Sequence, residues 1–147
     1  MFKRHVCNRL HLDHQATLAL WSSVQATLAA GREDRTLMKR AAAALEHELA
    51  THFELEEKEL FPRLAAAGDA DIGELLTEEH AVIREAGERF IELARGGGGL
   101  RELRPLGLEL AERIFAHVHK EELGLVPLLE DVLDDEADEA LSLAYAS

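Results

Sequence analysis

The sequence predicts an all-α protein, an up-down-up-down antiparallel four-helix bundle, and three observations carry that prediction. Ala, Leu, Glu and Arg dominate the 147 residues, and all four favour helix, while aromatic residues are only 5% and β-branched ones are few. No stretch alternates apolar and polar residues as a half-buried strand would. Apolar residues recur instead at helical spacing in four segments, separated by short connections bearing Gly or Asp. The length suits one domain, residues 1–147, with the bundle over about 8–130 and an acidic tail over 131–147.

The first helix is expected from Asn8 to about Ala30, with an inward stripe of Leu10, Leu18, Trp21, Val24 and Leu28 on which His14 also lies. Gly31 to Thr36 breaks the pattern, and Asp34 or Thr36 can cap a second helix running to about Phe61, where Pro62 ends or bends it. Its inward face reads Ala41, Leu45, Leu49, His52, Glu56 and Leu60. Asp69 or Asp71 is the expected cap of a third helix, from about Ile72 to Arg95, whose stripe of Leu76, Ile83, Phe90 and Ala94 carries His80. Four consecutive glycines, Gly96 to Gly99, stop it. The fourth helix is expected from about Leu103, with Pro105 in its first turn, through Leu110, Ile114, His117 and Glu121 to Leu125, where Pro127 bends or ends it. Residues 128–147 form either a short fifth helix or a solvated acidic tail, and the charge run from Asp134 to Glu139 favours the tail.

One motif occurs twice. His52-Phe-Glu-Leu-Glu-Glu-Lys-Glu-Leu-Phe-Pro and His117-Val-His-Lys-Glu-Glu-Leu-Gly-Leu-Val-Pro both open with His-x-x-x-Glu and run on into Glu-Glu-x-x-Leu-x-Pro. Four residues apart on a helix, an imidazole and a carboxylate share one face and can meet at one point. His14 precedes His52 by 38 residues and His80 precedes His117 by 37, and Asp13-His14 matches Glu79-His80. The chain therefore reads as two helix hairpins related by a pseudo-twofold axis, each supplying one His and one His-x-x-x-Glu pair to a shared core site.

Four imidazoles and two carboxylates buried without partners would cost several kcal/mol per uncompensated charge. Metal ligation removes that cost. The inventory divides into two cations, each bound by two His nitrogens and by one oxygen from each of two bridging glutamates, with an oxo or hydroxo bridge and one open position left for a small ligand. Nitrogen and oxygen donors suit iron; zinc, manganese or cobalt fit the same set.

The series His14, His52-x-x-x-Glu56, His80, His117-x-x-x-Glu121 resembles the hemerythrin-like family, the HHE cation-binding domain, and the Glu-Glu-x-x-Leu-Phe-Pro sequence after His52 adds to the likeness. The resemblance spans roughly residues 8–130. It implies a four-helix bundle with a non-haem di-iron centre at His14, His52, Glu56, His80, His117 and Glu121, which binds or senses oxygen, iron, nitric oxide or peroxide. Two departures separate the chain from the oxygen-carrying hemerythrins. Arg84 stands four residues after His80, where those proteins have a second histidine, and Glu121 lies four after His117, where they place Asp at five, the position of Glu122 here. The resulting centre is one His short and nearly symmetric, which favours sensing or reaction over oxygen transport.

A diatomic or peroxide ligand is thus the expected partner. The formal charge of −13 argues against nucleic acid and anionic membranes as partners. One cysteine, Cys7, excludes an intrachain disulfide, and the first residues lack the apolar run of a signal peptide, so a cytoplasmic location is expected. Other functions compatible with the pattern are a di-iron enzyme for peroxide disproportionation or iron-centre repair, and a metal-free acidic interaction module. His5, His47 and His119 fall outside the site; His11 is either a partly exposed surface residue, the favoured reading, or a support or exchangeable ligand of the site. Asp13, Glu57, Glu79 and Glu122 neighbour the expected ligands and either accept the second N–H of a coordinating imidazole or are plain surface carboxylates, the latter at least as well supported by the sequence. Trp21, Phe90 and Phe115 are read as core or boundary residues.

Overall fold

The computed structural model describes residues 1–146, and among them every regular element is helical. The elements are α1 (His5–Ala29), α2 (Arg35–Ala50), α3 (His52–Leu55), a first π turn (Glu56–Leu60), α4 (Phe61–Ala66), α5 (Ala70–Arg95), α6 (Leu100–Lys120), a second π turn (Glu121–Leu125), α7 (Val126–Val132) and α8 (Asp135–Ala146). Asp34 caps α2, its Oδ1 accepting the Leu37 N–H at 2.9 Å. Asp69 precedes α5 but its side chain caps nothing there.

Pro62 and Pro127 do not end their helices. In an α-helix a proline lacks the N–H for the ladder and its ring strikes the carbonyl four residues back. Here those carbonyls, of Lys58 and Leu123, lie inside the π turns, where the Phe61 and Val126 N–H groups reach the carbonyls of Glu56 and Glu121, five residues back. The wider turn makes room for each ring, and the chain continues to Ala66 and Val132. Each π turn begins on the Glu of a His-x-x-x-Glu pair.

Two pairs of long helical runs lie antiparallel, while α8 runs parallel to α1, with Arg4 at Asp135, His5 at Asp138 and Asp13 at Tyr145. His14 lies against Glu121 and Glu122, Cys7 approaches the Val126 carbonyl, and Leu28 faces Gly107, so α1 and the α6–α7 run are antiparallel. Arg95 pairs with Glu46, Arg84 with Glu57, and Gly73 with Phe61, which sets α5 against the α2–α4 run. A Cβ added at Gly107 would collide with Leu28, so glycine permits the close approach of α1 and α6.

The apolar core is divided. One cluster contains Trp21, Val24, Leu28, Leu45, Ile83, Phe90, Leu110 and Ile114; the other contains Val6, Leu10, Leu60, Leu64, Leu76, Leu125, Leu129 and Leu141. His14, His52, Glu56, His80, His117 and Glu121 fall between the two along every helical run, forming a buried polar layer. Trp21 and Phe90 are core, as expected, with ring centroids 5.3 Å apart.

The acidic segment is not a solvated tail. It forms α8, which buries Leu141 and Asp138. Asp134 Oδ1 accepts the Ala137 N–H at 2.8 Å, and acidic residues in the first turn of α8 suit the positive end of the helix dipole. Asp138 in turn serves α1, its carboxylate accepting the N–H groups of His5 and Val6 at 2.9 and 3.0 Å, which Arg4, the residue preceding α1, leaves without a side-chain cap. Asp138→Ala is expected to lower stability by about 1–3 kcal/mol, seen as a lower Tm, because two helix N-terminal donors, the buried Val6 N–H and the part-buried His5 N–H, lose their acceptor. An unchanged Tm would show that water replaces the carboxylate at no cost.

Candidate metal centre

All six residues of the duplicated motif meet in the polar layer. His14 comes from α1, His52 from α3, Glu56 from the first π turn, His80 from α5, His117 from α6 and Glu121 from the second π turn, and none is more than 4% exposed. The four Nε2 atoms converge on the two carboxylates. Glu121 Oε1 lies 2.7 Å from His14 Nε2 and 3.3 Å from His52 Nε2; its Oε2 lies 2.7 Å from His117 Nε2 and 3.6 Å from His80 Nε2. Glu56 spans the other diagonal, 3.2 Å from His52 Nε2 and 3.1 Å from His80 Nε2.

These atoms form two overlapping sets, His14–His52–Glu56–Glu121 and Glu56–His80–His117–Glu121, and the ligand atoms within each lie within 4.8 Å of one another. The fit to a cation shows in what protein alone leaves undone. Both oxygens of Glu56 and Oε2 of Glu121 are fully buried without a hydrogen bond, although imidazole nitrogens stand close by at angles unsuited to one. Cations placed among these donors would satisfy the oxygens that hydrogen bonds do not.

The opposite edge of three of the four rings has its own carboxylate acceptor. His80 Nδ1–H donates to Glu57 at 2.6 Å, His117 Nδ1–H to Glu79 at 2.9 Å and His14 Nδ1–H to Glu122 at 3.1 Å. Such bonds fix the tautomer, leaving Nε2 free to bind a cation, and orient the ring. The pairings follow the pseudo-twofold pattern: Glu57 and Glu122 each come one residue after a glutamate of the cluster, and Glu79 directly precedes His80, as Asp13 precedes His14. Three carboxylates are held in turn by a further cation or imidazole. Arg84 Nη1 donates to Glu57 at 2.8 Å, Lys120 to Glu79, and His11 meets Glu122.

His11 is partly exposed, as expected, at 33% of its side chain, and it also takes the supporting role kept as the alternative, since Glu122 joins it to His14. Arg84, at the position of the additional histidine in oxygen carriers, points its guanidinium at Glu57 and lies 5.5 Å over Phe53. Phe53 stacks on His80 with centroids 3.8 Å apart and covers that face of the centre, a role that the sequence pattern does not reveal. His47 and His119 are exposed, and His119 bonds the Phe115 carbonyl.

The charge balance of the protein groups is lopsided. Burial alone would lower the histidine pKa values, but the surrounding carboxylates overcome it and carry His14 and His80 up to about 9, with His52 well above its ordinary value and His117 raised. Burial would likewise raise Glu121, yet its imidazole partners hold it well below the ordinary carboxylate range. Without a metal the site would be a net of imidazolium and carboxylate pairs, and a metal would take the place of those protons.

The fold and the site together define a helical bundle built around a buried histidine–carboxylate centre able to hold cations. The chain belongs to the hemerythrin HHE cation-binding domain family, whose model matches residues 5–129. Neither a curated protein nor a solved structure matches it. No helix among the described residues is long and apolar enough to cross a membrane.

Proposed function

We propose that this centre holds two iron ions, shared by Glu56 and Glu121 within an up-down-up-down four-helix bundle, and that it binds or senses oxygen, nitric oxide or peroxide. The observation that supports this reading most is the pair of overlapping donor sets with both glutamates in common. Iron would supply a redox-active binding position for the small ligand. The protein's own part is to hold four Nε2 atoms and two carboxylates in fixed positions, to exclude bulk water with the apolar clusters on either side, and to cover His80 with Phe53. The charge of −13 and the single cysteine support a cytoplasmic protein that binds neither nucleic acid nor membrane.

Metal analysis of native protein is expected to give two irons per chain, and the optical spectrum of the reduced protein is expected to change on adding oxygen, nitric oxide or peroxide. Protein that binds no iron, or iron that shows no response to any of the three, would refute the reading. A peroxide-disproportionating enzyme is favoured by one feature, the chain from half-buried His11 through Glu122 to His14, which could carry protons between solvent and the centre. Sustained oxygen release from excess hydrogen peroxide would establish that enzyme; a spectral change without turnover would support the sensor.

A further inference from the structure

Three of the four histidines hydrogen-bond a carboxylate directly through Nδ1, whereas His52 Nδ1 has only Asp13 and Glu48 at 3.8 Å, beyond hydrogen-bond reach. By the hairpin repeat, Asp13 should serve His52 as Glu79 serves His117. Asp is one methylene shorter, and its carboxylate stops 3.8 Å from His52 Nδ1, whereas Glu79 reaches His117 at 2.9 Å. The gap is filled by Tyr145, from the last turns of α8. Its hydroxyl accepts from His52 Nδ1 at 3.0 Å and donates to Asp13 Oδ2. The order of donors is thus His52 Nδ1–H to Tyr145 oxygen, and Tyr145 O–H to Asp13.

The ring is held for this task. Its plane stands nearly perpendicular to that of His52, at 84° and 6.2 Å between centroids, and the Arg9 guanidinium lies 5.0 Å over it. Leu141, one turn earlier, is buried in the core cluster that Tyr145 flanks. A surface groove of about 390 Å³, lined by Asp13, Thr17, Glu48, His52 and Tyr145 among others, runs along this contact, so solvent reaches the one link in the histidine supports that comes from a terminal helix.

We infer that Tyr145 is a positioning residue for His52, and that it couples the docking of α8 to cation binding at the centre. The inference rests on the proposed cation site. A metal needs His52 Nε2 unprotonated and the ring fixed, which an acceptor at Nδ1 favours, and docked α8 brings the Tyr145 oxygen to 3.0 Å where Asp13 and Glu48 stop at 3.8 Å. By linkage, whatever docked α8 adds to metal affinity, bound metal returns to the docking of α8. The apolar anchor at Leu141 and the Asp138 cap keep α8 folded without the hydroxyl, so the coupling can be removed separately from the helix.

The test uses full-length protein loaded anaerobically with ferrous iron. Tyr145→Phe keeps the ring and removes the link; it is expected to lose iron to a chelator about 10–100-fold more readily than wild type, the usual cost of losing such a partner. Backbone hydrogen exchange over residues 139–145 should slow on iron loading in wild type, and be indifferent to iron in Tyr145→Phe. Adding Asp13→Glu to Tyr145→Phe lengthens the carboxylate to the reach of Glu79 and should restore iron retention while leaving α8 insensitive to iron, a separation that mere loss of packing would not produce. Equal iron retention in Tyr145→Phe and wild type, or exchange in wild-type α8 that ignores iron, would overturn the coupling with the iron site intact. Wild-type protein that binds no ferrous iron would overturn the proposed function and this inference together.

Discussion

Glu121→Ala is expected to empty the centre of both cations, whereas His14→Ala should cost chiefly one. Glu121 belongs to both donor sets and faces all four histidines, while His14 belongs to only one set. The effect extends to the protein without metal. Glu121 is fully buried, and removing it strips His14, His80 and His117 of their principal counter-charge, so the metal-free variant should lose about 3–5 kcal/mol of stability, the usual cost of breaking a buried ion pair from one side. Iron content and thermal unfolding, each with and without iron, measure the two effects. Iron content as high in Glu121→Ala as in wild type would rule out a shared role for this carboxylate.

The stability of metal-free protein and the stabilisation it gains from metal should respond to pH in opposite directions. In metal-free protein His14 and His80 have folded-state pKa values of about 9, above the ordinary value of 6.5. The stability they contribute is therefore fully present below about pH 6.5 and is lost as pH rises through about 9, on the order of 3 kcal/mol for one such group, shared among groups that bond the same carboxylate. Glu121 has the reverse sign: its contribution is present above pH 4.5 and is lost as pH falls through its lowered folded value. Metal-free protein should be most stable between about pH 4.5 and 6.5. A cation competes with the same protons, so the Tm gained on adding metal should grow from pH 6 to 9 as the intrinsic Tm falls. Calorimetry across this range, with and without metal, measures both, and a metal-free Tm that climbs from pH 6 to 9 would contradict the imidazolium network.

The six clustered residues were legible in the sequence because their chemistry repeats. A His-x-x-x-Glu pair is ordinary by itself, but two copies with matching upstream histidines place six residues in one layer, and the apolar stripes on either side fix that layer inside the protein. The neighbouring carboxylates left a weaker trace: Glu57 and Glu122 occupy the same place in the two copies, and Asp13 matches Glu79. The π turns were hidden because a change of ladder by one residue leaves composition and periodicity almost untouched, and Pro62 and Pro127 read more simply as helix ends. Tyr145 was hidden more deeply. It is the only tyrosine in the chain, it follows an acid-rich run, and it has no counterpart in the other hairpin. Only the missing methylene of Asp13 relative to Glu79 pointed to a gap that some other side chain must fill.

The division of the core into two apolar clusters makes the polar layer the one level at which all four long helical runs can be tied together. His14, His52, His80 and His117 are spaced 38, 28 and 37 residues apart, so cations held there would close three long chain loops at a single knot. A cross-link acts largely by narrowing the freedom of the unfolded chain, and its effect grows slowly with the length of loop it closes. With Cys7 as its only cysteine, this sequence cannot build such a cross-link from sulfur. The metal centre would serve as its reversible staple, made and undone by the supply of cations rather than by oxidation of thiols.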